Sequence, residues 1–245
     1  MKSRSKKSQV PKIPGKSEGA KGPGKESSKT GRLSKEGIVD AALVFADRDG
    51  IAALSMRKLA ASLGVEAMSL YHHIKSREEL LDQLVDRVFI ELALPNSRPP
   101  RDWKNWMLQS SIRMRDVLLQ HPWAVGLLDS RRNPGPGTLE YQNARLGILR
   151  EAGFSVDLAA HAIALQDSFV YGFVVQDLAL PFDDGAVDLD EMEGFARAME
   201  AGSYPHLQEI AEQVISKKEY SFRREFEFGL ELILEGLAAR FDGEY

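Results

Sequence analysis

From Arg32 onward, apolar residues recur at helical spacing along nearly the whole chain. Ile38, Ala41, Ala42, Phe45 and Ala46 fall at i, i+3, i+4, i+7 and i+8, one face of a first helix, and Gly50 stands where that helix ends. Ser55 caps a second, short helix whose Leu59, Ala60 and Leu63 face inward, and Gly64 closes it. A third short helix spans roughly 66–72. Ser76-Arg77-Glu78-Glu79 is then an S-x-x-E capping box ahead of Leu80, Leu81, Leu84, Val85, Val88, Phe89 and Leu92. Pro95 to Pro100 reads as a linker. Beyond it, longer helices are predicted near 102–120, 122–130, 137–152, 155–180, 188–201 and 204–240, the last interrupted. Pro122, Asn133-Pro134-Gly135-Pro136-Gly137, Gly153 and Pro181 mark the breaks. No run alternates with period two over the length of a strand, so the expected fold class is all-α.

Charge divides the chain. The formal net charge over 245 residues is −4, a total that weighs against a nucleic-acid partner. Residues 1–90 hold 17 Lys and Arg against 11 Asp and Glu, an excess of +6, and residues 91–245 hold 15 against 25, an excess of −10. The positive excess sits in residues 1–31, with nine basic and two acidic groups, so residues 32–90 are near neutral. Rich in Ser, Gly and Pro and without an aromatic, residues 1–31 cannot bury enough to offset their ordering entropy and read as a disordered basic tail. They hold no apolar stretch of the signal-peptide kind, so a cytoplasmic location is expected. Gly19-Ala20-Lys21-Gly22-Pro23-Gly24-Lys25 fits GxxxxGK, but Glu26 stands in place of the Mg²⁺-binding Ser or Thr, and no strand precedes it. It is read as composition rather than a phosphate cradle.

The absence of cysteine excludes disulfide scaffolds, thiolate metal sites and cysteine nucleophiles. The chain lacks H-E-x-x-H and a dinucleotide glycine fingerprint, and His121, His161 and His206 are isolated by spacing, so it is read as a non-enzyme. His72 and His73 are adjacent and do not share a helix face. The acidic run 183–191 does not fit an EF-hand loop and reads as a solvated loop. No metal or cofactor is expected. Residues 158–180 approach the length and apolarity of a membrane span, but His161, Gln166, Asp167, Gln176 and Asp177 punctuate them. A buried or intersubunit helix, with no membrane, is the reading.

The stretch 54–77 carries the chemistry. A capped helix, a turn through Gly64-Val65 and a second short helix have helix-turn-helix spacing. In the second helix Val65, Leu70 and Ile74 can face inward, leaving Ala67, Met68, Ser69, Tyr71, His72 and Lys75 outside or at the ends. A small, mixed, uncharged face suits base edges and thymine methyls. Arg57, Lys58, Lys75 and Arg77 flank it and suit phosphates, which fix register without reading sequence.

Residues 32–92 resemble the DNA-binding region of the tetracycline-repressor (TetR) family. The likeness rests on Ile38, Ala41, Ala42, Gly50, Leu54-Ser55-Met56-Arg57-Lys58-Leu59-Ala60, Leu63-Gly64-Val65 and the run from Leu70-Tyr71-His72-His73-Ile74-Lys75 to Leu81. The remainder resembles the ligand-binding domain of the tetracycline-repressor branch through Gly153-Phe154-Ser155, Tyr171-Gly172 and the closing run from Phe226 to Ile233. The resemblance implies a helix-turn-helix domain at 32–78, followed by a helical effector-binding and dimerisation domain at 79–245. It implies DNA contacts from Ser55, Arg57, Ala67, Met68, Ser69, Tyr71, His72, Lys75 and Arg77. Ala67 stands where family members often carry a bulkier polar residue, which points away from a tetracycline-type operator.

In the body, Phe226, Leu230, Ile233 and Leu237 share one helix face, and Ala162, Leu165, Phe169, Gly172 and Phe173 form a comparable stripe. By the resemblance these nine residues build a four-helix bundle across a homodimer. Trp106, Met107, Met114, Leu118, Trp123, Leu128, Tyr171 and Val175 are the candidate lining of an effector pocket. Leu127-Leu128 and Leu92-Ala93 occupy the regions where tetracycline repressors carry metal- and drug-contacting histidines, so an apolar effector other than tetracycline–Mg²⁺ is implied. The expected function is a ligand-responsive dimeric repressor of a pseudo-palindromic operator. The alternative is a ligand-free helical DNA-binding protein with an architectural or co-regulatory role.

Overall fold

The computed structural model describes residues 33–94, 102–180, 204–215, 217 and 220–243. The tail 1–31, the linker at Pro95 to Pro100, the acidic run 183–191 and the predicted helix 188–201 lie outside the described residues. Among those described there are helices and no strand: α1 (Lys35–Asp49), α2 (Met56–Ser62), α3 (Ala67–Tyr71), α4 (Arg77–Glu91), α5 (Trp103–Gln120), α6 (Pro136–Glu151), α7 (Val156–Ala179), α8 (Pro205–Ile210) and α9 (Arg223–Asp242).

Local chemistry sets the ends of these elements. The side chains of Ser34, Ser55, Ser76, Asp102 and Ser155 each accept a backbone N–H three residues on, satisfying donors that a helix start leaves open. Gly64, at φ 67°, terminates α2 in a Schellman turn: Val65 N donates to Ala60 O at 3.0 Å and Gly64 N to Ala61 O at 3.2 Å. Gly153, at φ 106°, does the same for α6 and turns Phe154 into the core. The capping box at Ser76 forms only half as expected. Glu79 accepts from the backbone of Lys75 at 2.8 Å and from Lys35 Nζ at 2.9 Å, so it ties α4 to α1.

One predicted element differs, and another is interrupted as expected. The stretch 122–130 forms a 3₁₀ turn at Pro122–Ala124 and then tight turns, with Leu127 N donating to Ala124 O and Ser130 N to Leu127 O. Pro122 and Gly126 within nine residues leave too little chain for an α-helix to recover its nucleation cost. The stretch 204–240 divides into α8 with a π-helical run Ala211–Ile215, then α9.

α1, α2 and α3 form a head around Ile38, Ala42, Phe45, Leu54, Leu59, Leu70 and Ile74, all buried. α4 packs on α1 at one end and on α6 of the body. The body is built on α7, which contacts α5, α6 and α9. Its core joins Trp103, Trp106, Met107, Met114, Leu118, Phe154, Val170, Phe173, Phe226 and Leu230. α7 is long and apolar enough to cross a membrane by composition alone. Here it is the central helix of a bundle, and it carries a buried Gln166 and an ion-paired Asp167.

Candidate nucleic-acid interface and effector body

The head presents the face expected of it. Leu70 and Ile74 are fully buried and anchor α3, which forces the opposite side outward. Met68 is 66% exposed, and Tyr71, His72 and Lys75 are exposed beside it, with Ala67 and Ser69 half-buried at its edges. Arg57 and Lys58 are exposed on α2. The Ser55 hydroxyl accepts Lys58 N at 3.3 Å as the cap of α2 and as a hydroxyl can still donate to a phosphate.

Arg77 takes a different place from the one expected. Its Nε donates to Leu54 O and its Nη2 to Ile51 O, both at 3.1 Å, so the guanidinium clips the α1–α2 turn onto the start of α4. As the first residue of α4 it points back over that turn rather than outward. It is assigned to holding the head together, not to a phosphate.

Asp86, Arg131 and His121 are among the side chains that join this head and α4 to the body. Asp86, buried on α4, accepts from Thr138 N at 2.7 Å and Thr138 Oγ1 at 3.0 Å, capping α6 from another element. Gly137 permits the approach, since an added Cβ would lie 2.5 Å from Ile90 Cγ1. Arg131 reaches Asp82 at 2.7 Å and Glu78 at 2.6 Å. Burial works against its charge, but the two carboxylates outweigh burial and its pKa is raised, with the hydrogen bond to Glu78 the largest cause. His121, at the end of α5, lies between Asp47 of α1 and Glu91 of α4.

The body holds a buried polar network. Arg145, with no exposed surface, forks onto Asp167 at 2.6 and 3.1 Å and donates to Gln166 Oε1 at 2.9 Å. Gln166 passes hydrogen bonds on to Ser111 Oγ at 2.7 Å and Ser110 Oγ at 2.9 Å. Burial pushes the Tyr141 phenol up to about 12 and Tyr171 higher still, so both are neutral, and the buried Tyr171 hydroxyl has no hydrogen-bond partner among the described residues. Tyr171 lines a cavity of about 500 Å³ between α6 and α7, together with Asp129, Gln142, Leu146, Ile163 and Asp167. Sequence reading missed this network; the one signal for it was the pair of polar residues, Gln166 and Asp167, inside an otherwise apolar helix.

The candidate pocket residues are placed unevenly. Trp106, Met107, Met114, Leu118 and Leu128 are buried in the body's core, and Trp123 packs half-buried against it with its indole donating to Asp47 at 2.7 Å. Val175 is 55% exposed on the outside of α7, so it is not a lining residue in this conformation. The candidate dimer residues also divide. Ala162, Phe173, Phe226, Leu230 and Leu237 are buried within the chain, where α7 meets α9. These two helices are apolar on two sides, and sequence spacing had picked the side that faces the chain's own core. Leu165, Phe169, Gly172 and Ile233 lie at or toward the outer side. That side also exposes Phe228 and Leu232.

Comparison with known proteins agrees with this architecture. The tetR family of bacterial regulatory proteins matches residues 38–84, and the tetracyclin repressor-like C-terminal domain matches residues 94–241. An HTH-type transcriptional regulator of Saccharopolyspora erythraea is 36% identical over 196 residues, 78% of this chain and 82% of that protein. The class A tetracycline repressor of transposon 1721 from Escherichia coli is 30% identical over 210 residues, 85% of this chain and 92% of that protein. Among solved structures, ActR of Streptomyces coelicolor in complex with actinorhodin superposes with a TM-score of 0.71 at 31% identity, covering 87% of this chain and 100% of ActR. The chain therefore belongs to the TetR family of bacterial transcriptional regulators, which bind DNA through a helix-turn-helix.

Proposed function

We propose that two copies of the chain bind a pseudo-palindromic operator, each seating α3 in a major groove, with the two grooves one helical turn apart, about 34–36 Å centre to centre. The observation that carries this is the exposed Met68–Tyr71–His72 face of α3, flanked by Arg57, Lys58 and Lys75 and anchored by buried Leu70 and Ile74. Tyr71 and Lys75 hold phosphates and set register, while Ala67, Met68, Ser69 and His72 meet base edges. The two copies associate through the outer sides of α7 and α9, where Leu158, Ala164, Leu165, Leu232 and Ile233 line an apolar groove of about 620 Å³. The head is residues 32–78, the effector-binding and dimerisation body is residues 79–245, and the protein is cytoplasmic.

A small, largely apolar effector is received by the body between α6 and α7, where Leu146 and Ile163 supply apolar contact and Tyr171 and Gln142 supply orientation. The structural likeness to ActR, solved with actinorhodin, favours a polycyclic aromatic ligand over tetracycline–Mg²⁺. The effector binds more tightly to a state in which α6 has shifted. Thr138–Asp86 and Arg131–Asp82 then carry the shift to α4, and the heads no longer match the groove spacing. Footprinting of the full chain on DNA upstream of its own gene tests this reading. Two protected half-sites are expected, and uniform coverage with no protected site would overturn it.

A further inference from the structure

His121 caps the C-terminus of α5 where head and body meet, and its side chain is 7% exposed. Both of its ring nitrogens face a carboxylate: Nδ1 is 2.8 Å from Asp47 Oδ1, near the end of α1, and Nε2 is 3.0 Å from Glu91 Oε2, at the end of α4. A neutral imidazole has one N–H, so it can donate to one of these oxygens and must turn a lone pair on the other. Only the imidazolium donates to both.

Other contacts hold the two carboxylates in place. Asp47 Oδ1 also accepts Trp123 Nε1 at 2.7 Å. Glu91 Oε1 lies 3.4 Å from Arg87 Nε, and Arg87 Nη2 lies 3.6 Å from Asp40 Oδ1 back on α1. From α5, Arg113 Nη2 donates to the Glu91 carbonyl at 2.9 Å. The charged groups that face the imidazole are thus Asp47 from α1 and Glu91 from α4, with Arg87 tying Glu91 to Asp40 behind them and Arg113 of its own helix on the Glu91 backbone.

We propose that His121 is a proton-dependent pin between the DNA-binding head and the body, closed as the imidazolium and released on one side when the proton leaves. The pin joins the ends of α1, α4 and α5, so its state sets how freely the head moves against the body. It does not depend on the identity of the operator or the effector. Burial draws the His121 pKa down, but the hydrogen bonds and charges of Asp47 and Glu91 outweigh burial and raise it above the ordinary 6.5. The pin's contribution is therefore complete below the ordinary histidine value and disappears as pH rises through the elevated one.

The test is a pH titration of the histidine-labelled full chain by NMR, with amide-exchange protection factors read at the end of α1 and in the turn Pro122–Ala124. His121 is expected to titrate above the ordinary histidine value of 6.5, and protection at both places is expected to fall several-fold across its midpoint. Glu91→Gln is expected to lower the midpoint and flatten the step, because a glutamine amide can donate to the lone pair of the neutral ring. His121→Gln is expected to abolish the step without unfolding the chain. A His121 midpoint at or below the ordinary 6.5, or protection that ignores its protonation, would overturn the proposal. A step that persists in a folded Glu91→Gln protein would do the same.

Discussion

At single residues, two arginines that look alike in the sequence do different work. Arg57 is exposed on α2, whereas Arg77 spends two of its donors on the Ile51 and Leu54 carbonyls. Arg57→Ala is expected to lower the slope of log affinity against log salt by about 1, one phosphate neutralised less. Arg77→Ala is expected to leave that slope unchanged and to cost about 1 kcal/mol of stability, because its hydrogen bonds are partly exposed. Anisotropy titrations at several salt concentrations, beside a denaturant curve, distinguish the two. Gly64→Ala belongs to the same scale. The φ of 67° at that position is costly for any residue with a Cβ, by about 1–2 kcal/mol, and the loss is expected in the same denaturant measurement. Gly64, Ser55 and the buried Leu70 were legible because capping and periodicity are local. The Arg77 clip was not, because it depends on where a turn more than twenty residues upstream is folded.

At the scale of elements, periodicity located α1 to α7 and α9 closely, since each carries an apolar face and most carry a Ser, Asp or Gly signal at an end. It could not tell which face of α7 and α9 is the intrachain one, because helices buried on two sides present two apolar stripes. The structure turns Phe226 and Leu230 inward and leaves Phe228 61% exposed and Leu232 exposed with it. Phe226→Ala is therefore expected to cost about 3–5 kcal/mol of folding stability through the cavity it leaves. Leu232→Glu is expected to leave each chain folded while dividing the dimer. Sedimentation and a thermal melt on both variants check the assignment, and the two phenotypes reversed would contradict it. Arg145 was equally hidden, since one arginine on a helix reads as surface until its partner Asp167 on α7 is placed beside it. Arg145→Ala is expected to cost about 3–5 kcal/mol by leaving a buried carboxylate uncompensated.

At the scale of the whole molecule, the net charge of −4 conceals an acidic body and a head that is close to neutral. On the proposed interface, DNA affinity comes from a few groups on and just beyond α2 and α3, doubled by dimerisation, with the basic residues of 1–31 adding attraction that reads no sequence. Removing residues 1–31 is expected to flatten the salt dependence of binding while sparing sequence preference. The ties that make head and body one unit, at Asp86, Arg131 and His121, join residues 30 to 74 positions apart. No sequence spacing announces such pairs. The most direct test of the central claim is a competition titration on the footprinted operator, comparing the full chain with its Tyr71→Ala variant. Wild-type protein is expected to keep the operator against excess unrelated DNA, and Tyr71→Ala to weaken operator binding by about 1–3 kcal/mol while remaining folded and dimeric. Equal affinity of the wild-type protein for operator and unrelated DNA, or a Tyr71→Ala protein that binds as tightly as wild type, would contradict it.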